Sequence, residues 1–296
     1  MFKVLAKKDI YVAENSIKQF EILAPNIAKN AKAGQFIIVR LDEFSERIPL
    51  TIVDINKEQK SIKVIIQEIG KSTKKIGLLK VGDDIRDILG PLGRAAEIKN
   101  YGNIICIGGG VGIAAIFPIV KAMKGVGNKV ISITGVRKKE MMILEKNLKK
   151  YSDKLFLTSN DGSLGEQGFV TDVLEKILDK KEKIDIIFAI GPLIMMKSVF
   201  ETVKKKLQNI KQKIPVMVSL EVLMLDGIGM CGACRVKYEK ENKFACMEGP
   251  IFNAEKLDFN DIMNRQKSYK NKEEIALKVW QNDFKNNCYC SKKYKI

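Results

Sequence analysis

The stretch NIICIGGGVGIAAIFPIV, residues 103–120, constrains the fold more than any other part of the chain. An apolar run enters four glycines, Gly108, Gly109, Gly110 and Gly112, and leaves them as an apolar run of helical length. A strand that turns this tightly into a helix belongs to a parallel α/β sheet. The amides uncovered at the start of the helix suit a pyrophosphate. The alternation continues to residue 207: the strands KVISITGV, KLFLTSND and IDIIFAIG interleave with helices expected over 113–124, 139–150, 171–178 and 194–207. The glycine turn alone does not identify a dinucleotide site. Ile113 stands where the G-x-G-x-x-G fingerprint has its third glycine, and Gly135-Val136-Arg137 replaces the usual acidic residue at the end of the second strand.

The chain before residue 99 reads differently. FKVLAKKDIYVA, IKQFEILAP, QFIIVRL, IPLTIVDIN, SIKVIIQEI and DIRDILGPLG are short strand-like segments separated by turn residues such as Asn26, Gly34 and Gly70. Strands at this spacing predict a small antiparallel barrel. The expected fold is therefore a β-barrel over 1–98, an α/β unit over 99–215, a cysteine-bearing segment over 216–257 and a polar helical tail over 258–296. A length of 296 residues accommodates several such units. No run approaches the ~18–20 apolar residues of a membrane span, and MFKVLAKKDIYVAEN does not read as a signal peptide, so a cytoplasmic location and no membrane partner are expected. The net charge of +17 is spread along the chain, as at Lys138–Lys139, Lys149–Lys150, Lys180–Lys181 and Lys204–Lys206. Without a basic stripe interleaved with aromatics, it does not predict a nucleic-acid partner.

There is no histidine. That excludes Ser–His and Cys–His hydrolases, histidine-ligated zinc and histidine proton shuttles. The chemistry must come from cofactors, carboxylates, thiolates or lysines. Half of the six cysteines fall in DGIGMCGACRVKYEKENKFACMEGP. Cys231 and Cys234 are spaced C-x-x-C, Cys246 follows after eleven residues, and Asp226 stands five residues before Cys231. Plant-type two-iron clusters use C-x4-C-x2-C and a distant cysteine, so the pattern predicts an iron–sulfur site with a carboxylate in the first ligand position. Gly227 and Gly229 let the loop fold tightly around such a group. A zinc site made of the same four residues, a Cys231–Cys234 dithiol, and Asp226 as a turn residue beside another ligand are the competing readings. Cys106 reads as a buried apolar residue. Cys288 and Cys290, in the closing CYC, receive no role.

In combination, RIPLTI (47–52), EIGKST (68–73), GPLG (90–93), GGGVGIAA (108–115) and AIGP (189–192) resemble the ferredoxin–NADP reductase superfamily, in the order that family has them. With the cysteine loop, the chain resembles the branch that holds the dihydroorotate dehydrogenase electron-transfer subunit, the sulfide dehydrogenase small subunit and the small subunit of NADH-dependent reduced ferredoxin:NADP oxidoreductase. The aspartate version of the loop and the helical tail resemble the last of these; the dihydroorotate subunit has Cys where this chain has Asp226. The resemblance implies that Arg47, Pro49, Leu50 and Thr51 line an isoalloxazine and its phosphate, and that Gly70, Ser72 and Thr73 serve the FAD pyrophosphate. It implies that Gly108, Gly109, Gly110 and Gly112, with Gly191 and Pro192, frame the nicotinamide site. Relatives that select NADP commonly have a Ser-Arg pair where this chain has Ser159-Asn160-Asp161. Asp161 would repel a 2′-phosphate and accept from a ribose hydroxyl, which favours NAD(H) over NADP, against the contrary sign of Arg137 and Lys138. The expected function is electron transfer between NAD(H), FAD and a [2Fe-2S] cluster held by Asp226, Cys231, Cys234 and Cys246. The expected partner is a larger flavin and iron–sulfur subunit resembling the glutamate synthase small subunit, with ferredoxin reached through the complex. The sulfide and dihydroorotate subunits are the alternatives.

Overall fold

In a computed structural model, which describes residues 2–208 and 213–286, the N-terminal strands form two antiparallel sheets. The first orders Asp54–Asn56, Ser61–Gln67, Ile17–Leu23, Phe2–Tyr11 and Asp84–Ile85; the second orders Ile48–Thr51, Phe36–Arg40 and Asp87–Leu92. The inward set, including Val4, Phe20, Ile22, Ile37, Val39, Ile62, Val64, Ile66 and Ile85, forms one core between them. The chain changes sheets at two corners, after Thr51 and after Ile85. Each corner is tied by a backbone bond, Val53 N to Lys63 O at 2.8 Å and Arg86 N to Leu41 O at 3.2 Å. Among the described residues the expected barrel thus takes the form of two sheets sharing bent strands, because each bend hands half a strand to a different neighbour.

Two short helices join these strands where the sequence reads as strand and turn: α1 (Pro25–Asn30), with proline in its first turn, and α2 (Lys71–Gly77). A seven-stranded sheet follows, ordered Glu166–Gln167, Lys154–Ser159, Lys129–Val136, Asn103–Gly109, Ile186–Ile190, Val216–Ser219 and Ile251–Asn253. All pairings are parallel except the last. Every residue of Ile186–Ile190 is buried, as expected of a strand covered on both faces.

One face is covered by α3 (Gly112–Gly125) and α4 (Glu145–Tyr151), through Phe117, Val120, Met123 and Leu148. The other is covered by α5 (Val170–Asp179) and α6 (Leu193–Leu207), through Val173, Leu174, Met196 and Val199. The helix expected over 139–150 is interrupted. Lys139–Met141 is a single 3-10 turn, buried Ile143 pulls the chain inward, and Leu144 takes φ +57 before α4 begins.

The described part of the tail forms α7 (Phe259–Lys267), capped by Asp258 accepting from Asp261 N at 3.0 Å, and α8 (Lys270–Asn286), which reaches back to α2. Cys288 and Cys290 lie outside the described residues. Among the described residues no helix is long and apolar enough to cross a membrane.

What positions the site is the burial of α3 between the parallel sheet and the N-terminal sheets. Ile17, Val53 and Ile65 share a cluster with Ile113, Ile116 and Ile119. Each such side chain contributes about 1.5–3 kcal/mol by burial. The Lys121–Asp54 ion pair across the same boundary, at 2.8 Å and partly exposed, contributes about 0.2–1 kcal/mol. Apolar contact fixes the arrangement.

Candidate functional site

At the C-terminal ends of the parallel strands a cleft of about 340 Å³ opens between α3 and the N-terminal sheets. Such strand ends are where open α/β sheets take ligands. Pro49, Leu50, Thr51, Val111, Leu220 and Pro250 contribute to its wall. Of the residues expected at a flavin, Pro49, Leu50, Thr51 and Thr73 line the cleft; Arg47, Gly70 and Ser72 do not. Arg47 is exposed, and among the described residues no hydrogen bond or ion pair engages its guanidinium. Ser72 gives its hydroxyl to the Glu46 carboxylate. Thr73 Oγ1 accepts from the amides of Ile69 at 3.1 Å and Gly70 at 3.0 Å, and donates to Gly70 O at 3.0 Å. Thr73 therefore caps α2, and the Gly70 amide is already satisfied. A largely apolar wall with a few polar groups suits a planar ring system, and an unpaired guanidinium suits a phosphate.

The wall also includes Ser219, Glu221, Val222 and Met224, which motif reading does not single out. Their one sequence signal is position, at the end of the last parallel strand and just beyond it.

The glycine motifs come together at the strand ends. A Cβ on Gly112 would lie 2.4 Å from Ile190 O and 2.5 Å from Gly191 Cα, so this glycine serves close helix–strand packing. Gly108 faces Ile113 and Ile116, Gly109 faces Met195 and Pro192, and Gly110, at φ +55, faces open space. Gly112→Ala is expected to destabilise the fold by about 1–3 kcal/mol through backbone displacement, read as a lowered urea midpoint with an unchanged m-value.

Asp161 sits at the end of Lys154–Ser159, its Oδ1 accepting from Ser163 Oγ at 2.6 Å and Ser163 N at 3.0 Å. These bonds hold its carboxyl below the usual range. Lys138 is drawn away to Tyr11, over whose ring its Nζ stands 5.2 Å from the centroid.

In the cysteine loop, Asp226 Oδ1 accepts from Ile228 N at 3.0 Å and Oδ2 from Cys231 N at 2.5 Å. Burial alone would raise this carboxyl, but these amide bonds, joined by the Cys231 thiol, outweigh it and lower its pKa. Cys234 and Cys246 are buried with their sulfurs 3.2 Å apart, and Cys231 is exposed. Burial, then the contact with Cys234, pushes the Cys246 thiol up to about 12, while the Gly229 amide acts in the opposite sense. A coordinating thiol gives up its proton to the metal's charge.

Among the described residues no three Cys, Asp or Glu side chains surround one point. Of the four predicted ligands, Asp226 is hydrogen-bonded to Cys231 and Cys234 is in contact with Cys246. The loop lies against the N-terminal sheets. Gly227 (φ +75) would place a Cβ 2.6 Å from Leu92 Cδ1 and 2.8 Å from Ile38 Cδ1. Ile38 belongs to the same strand as Phe36, a wall residue of the cleft.

Residues 221–258 match the model of the iron–sulfur cluster binding domain of dihydroorotate dehydrogenase B. The chain is 42% identical over 269 residues to a Thermotoga maritima protein named dihydroorotate dehydrogenase B (NAD(+)), electron transfer subunit homolog, covering 91% of this chain and 92% of that one. It is 32% identical over 239 residues to the Clostridium acetobutylicum electron transfer subunit, covering 78% and 87%. A solved structure described as giving insights into flavin-based electron bifurcation, that of NADH-dependent reduced ferredoxin-NADP oxidoreductase, superposes with a TM-score of 0.86 at 40% identity, over 95% of this chain and 98% of that one. Ferredoxin-NADP+ reductase from Plasmodium falciparum superposes with a TM-score of 0.57 at 16% identity, a likeness of fold.

Proposed function

Because the chain belongs to the family of dihydroorotate dehydrogenase B electron transfer subunits, within the ferredoxin–NADP reductase superfamily, we propose that it relays electrons from NADH through FAD and a [2Fe-2S] cluster to a larger partner subunit. The observation that carries this reading is the contact between the cysteine loop and the sheet that walls the cleft, at Gly227, Leu92 and Ile38.

Bound FAD would supply the conversion of a hydride into single electrons. The residues' part is binding, orientation and exclusion of water. Pro49, Leu50 and Thr51 form one wall for the flavin ring, and the guanidinium of Arg47, beside the cleft and unpaired among the described residues, would receive its phosphates. Gly110 leaves room for a dinucleotide at the start of α3, and Gly191 and Pro192 bound that site. Asp226, Cys231, Cys234 and Cys246 hold the cluster, with Gly229 and Cys246 amides directed at sulfur. Residues 1–98 serve the flavin, 99–215 the nicotinamide and 216–257 the cluster, and the tail from 258 braces the cluster segment through Arg265 Nη2, which donates to Ala233 O at 3.2 Å.

NADH is the favoured donor. Asp161 is held ionised, and Lys138, a cation that could receive a 2′-phosphate, is bonded to Tyr11. Asp161→Ser is expected to raise the kcat/KM ratio of NADPH to NADH about fivefold, by removing one charge repulsion at a solvated site. An unchanged ratio would remove Asp161 from donor selection.

The partner is a larger flavin and iron–sulfur subunit of the glutamate-synthase-small-subunit type. The 40% identity, over 95% of this chain, to a chain of the NADH-dependent reduced ferredoxin-NADP oxidoreductase structure supports a complex of that kind; the type of partner is what the motif resemblance implies. Delivery to a dihydroorotate-oxidising partner is the second reading, favoured by the relatives' names. Copurification from native cells separates the two. Protein purified without air should carry about one FAD and about two iron and two sulfide per chain. FAD without acid-labile sulfide would refute the relay.

A further inference from the structure

Oxidising NADH to NAD+ releases two electrons and one proton. A cluster takes electrons singly and takes no proton, so each turnover leaves one proton in the cleft while its electrons depart through the cysteine loop. The chain has no histidine to move it. Among the described residues, one side chain on the cleft wall is titratable: Glu221.

Glu221 also borders a second cavity. That cavity, of about 380 Å³, lies between the cysteine loop and the helices α7 and α8. Glu221 and Val222 are common to both walls, so this short segment is the partition between them. The segment is pinned to α7 by Gln266 Nε2, which donates to the Glu221 backbone oxygen at 3.0 Å. Among the described residues no hydrogen bond or ion pair occupies the Glu221 carboxyl. The charged and titratable groups facing it across the second cavity are Arg235, Arg265, Tyr269 and Glu273; the cleft side offers none. Glu221 is exposed by surface area and borders both cavities. The protein packed around it raises its pKa, which brings proton exchange nearer to neutral pH.

We propose that Glu221 carries the proton left in the cleft to the second cavity, and thence to solvent, while the electrons leave through the cluster. This rests on the electron-relay reading above. Glu221 accepts the proton as a carboxylate and releases it on the Arg235 and Arg265 side; the carboxylate is restored, and NADH has become NAD+, H+ and two electrons delivered.

The test uses the holo chain with Glu221→Gln and Glu221→Asp. Flavin content is measured first; if the wild type binds no flavin, the relay reading fails, and this proposal with it. Given flavin, the infrared difference spectrum between NADH-reduced and oxidised protein should show a carboxylic-acid C=O band that Glu221→Gln abolishes. In stopped flow, electron exit to a one-electron acceptor should rise with pH in the wild type as the carboxylate form increases. Glu221→Gln should slow exit by about 10²-fold and flatten that dependence, and Glu221→Asp should restore part of both. A Glu221→Gln protein that keeps its flavin, the infrared band and the wild-type pH profile would overturn the proposal.

Discussion

Cys246→Ser should empty the cysteine loop of iron and sulfide and cut electron delivery to a partner by more than about 100-fold, while NADH still reduces artificial dyes within about twofold. Cys246 and Cys234 are the buried pair, 3.2 Å apart, at the floor of the loop. An oxygen ligand there replaces the thiolate of the innermost position, and losses in metal affinity of about 10–100-fold follow even from disturbing the residues around a ligand. A hydroxyl in that apolar setting costs about 1–3 kcal/mol unless it finds a partner. A shift of Tm by several degrees is therefore expected and does not by itself count for the prediction. The dye activity separates the two effects, because it needs the folded flavin unit and not the cluster. Asp226→Cys is the companion variant: it should keep iron and sulfide and change the cluster's spectrum, since thiolate is the softer ligand. Full iron content in Cys246→Ser, or an unaltered spectrum in Asp226→Cys, would contradict the ligand assignment.

Arg47→Ala should weaken FAD binding about 10- to 100-fold. The guanidinium has no partner of its own among the described residues, so it loses no internal ion pair on receiving a phosphate. A charge-assisted bond contributes about 1.5–3 kcal/mol, and each 1.4 kcal/mol is tenfold in Kd. Arg47→Lys should recover a part, because an ammonium supplies the charge without the two-pronged geometry. The measurement is a titration of deflavinated protein with FAD, followed by quenching of flavin fluorescence. A Kd unchanged in Arg47→Ala would place the phosphates elsewhere.

Much of this architecture is legible along the chain because it is local. The apolar strand Asn103–Gly109, its glycines and the succession of helices follow from period and turn chemistry. The cysteine spacing likewise announces a metal site. What escapes is decided by contacts distant in sequence. The corners after Thr51 and Ile85 divide the N-terminal strands into two sheets because Lys63 and Leu41 capture the amides of Val53 and Arg86. The helix expected over 139–150 breaks because Ile143 is drawn into the core beside α3. Thr73 reads as a phosphate donor in its motif, but its hydroxyl donates to Gly70 O while accepting from the Ile69 and Gly70 amides at the start of α2. Glu221 carries no local signal. It becomes notable where α7 and α8 close over the end of Val216–Ser219 and leave a carboxyl between two cavities. The pairing of Asp226 with Cys231 and of Cys234 with Cys246 is equally invisible in spacing, which is satisfied by one metal or two.

If the flavin and the cluster lie on one path, a stepwise NADH titration of the anaerobically reconstituted chain, followed by visible absorbance and low-temperature electron paramagnetic resonance, reads both at once. Flavin bleaching and a reduced two-iron signal should grow together, and the signal should be absent from Cys246→Ser. Flavin that bleaches completely while the cluster stays oxidised, under NADH in excess and with iron and sulfide present, would contradict the single path.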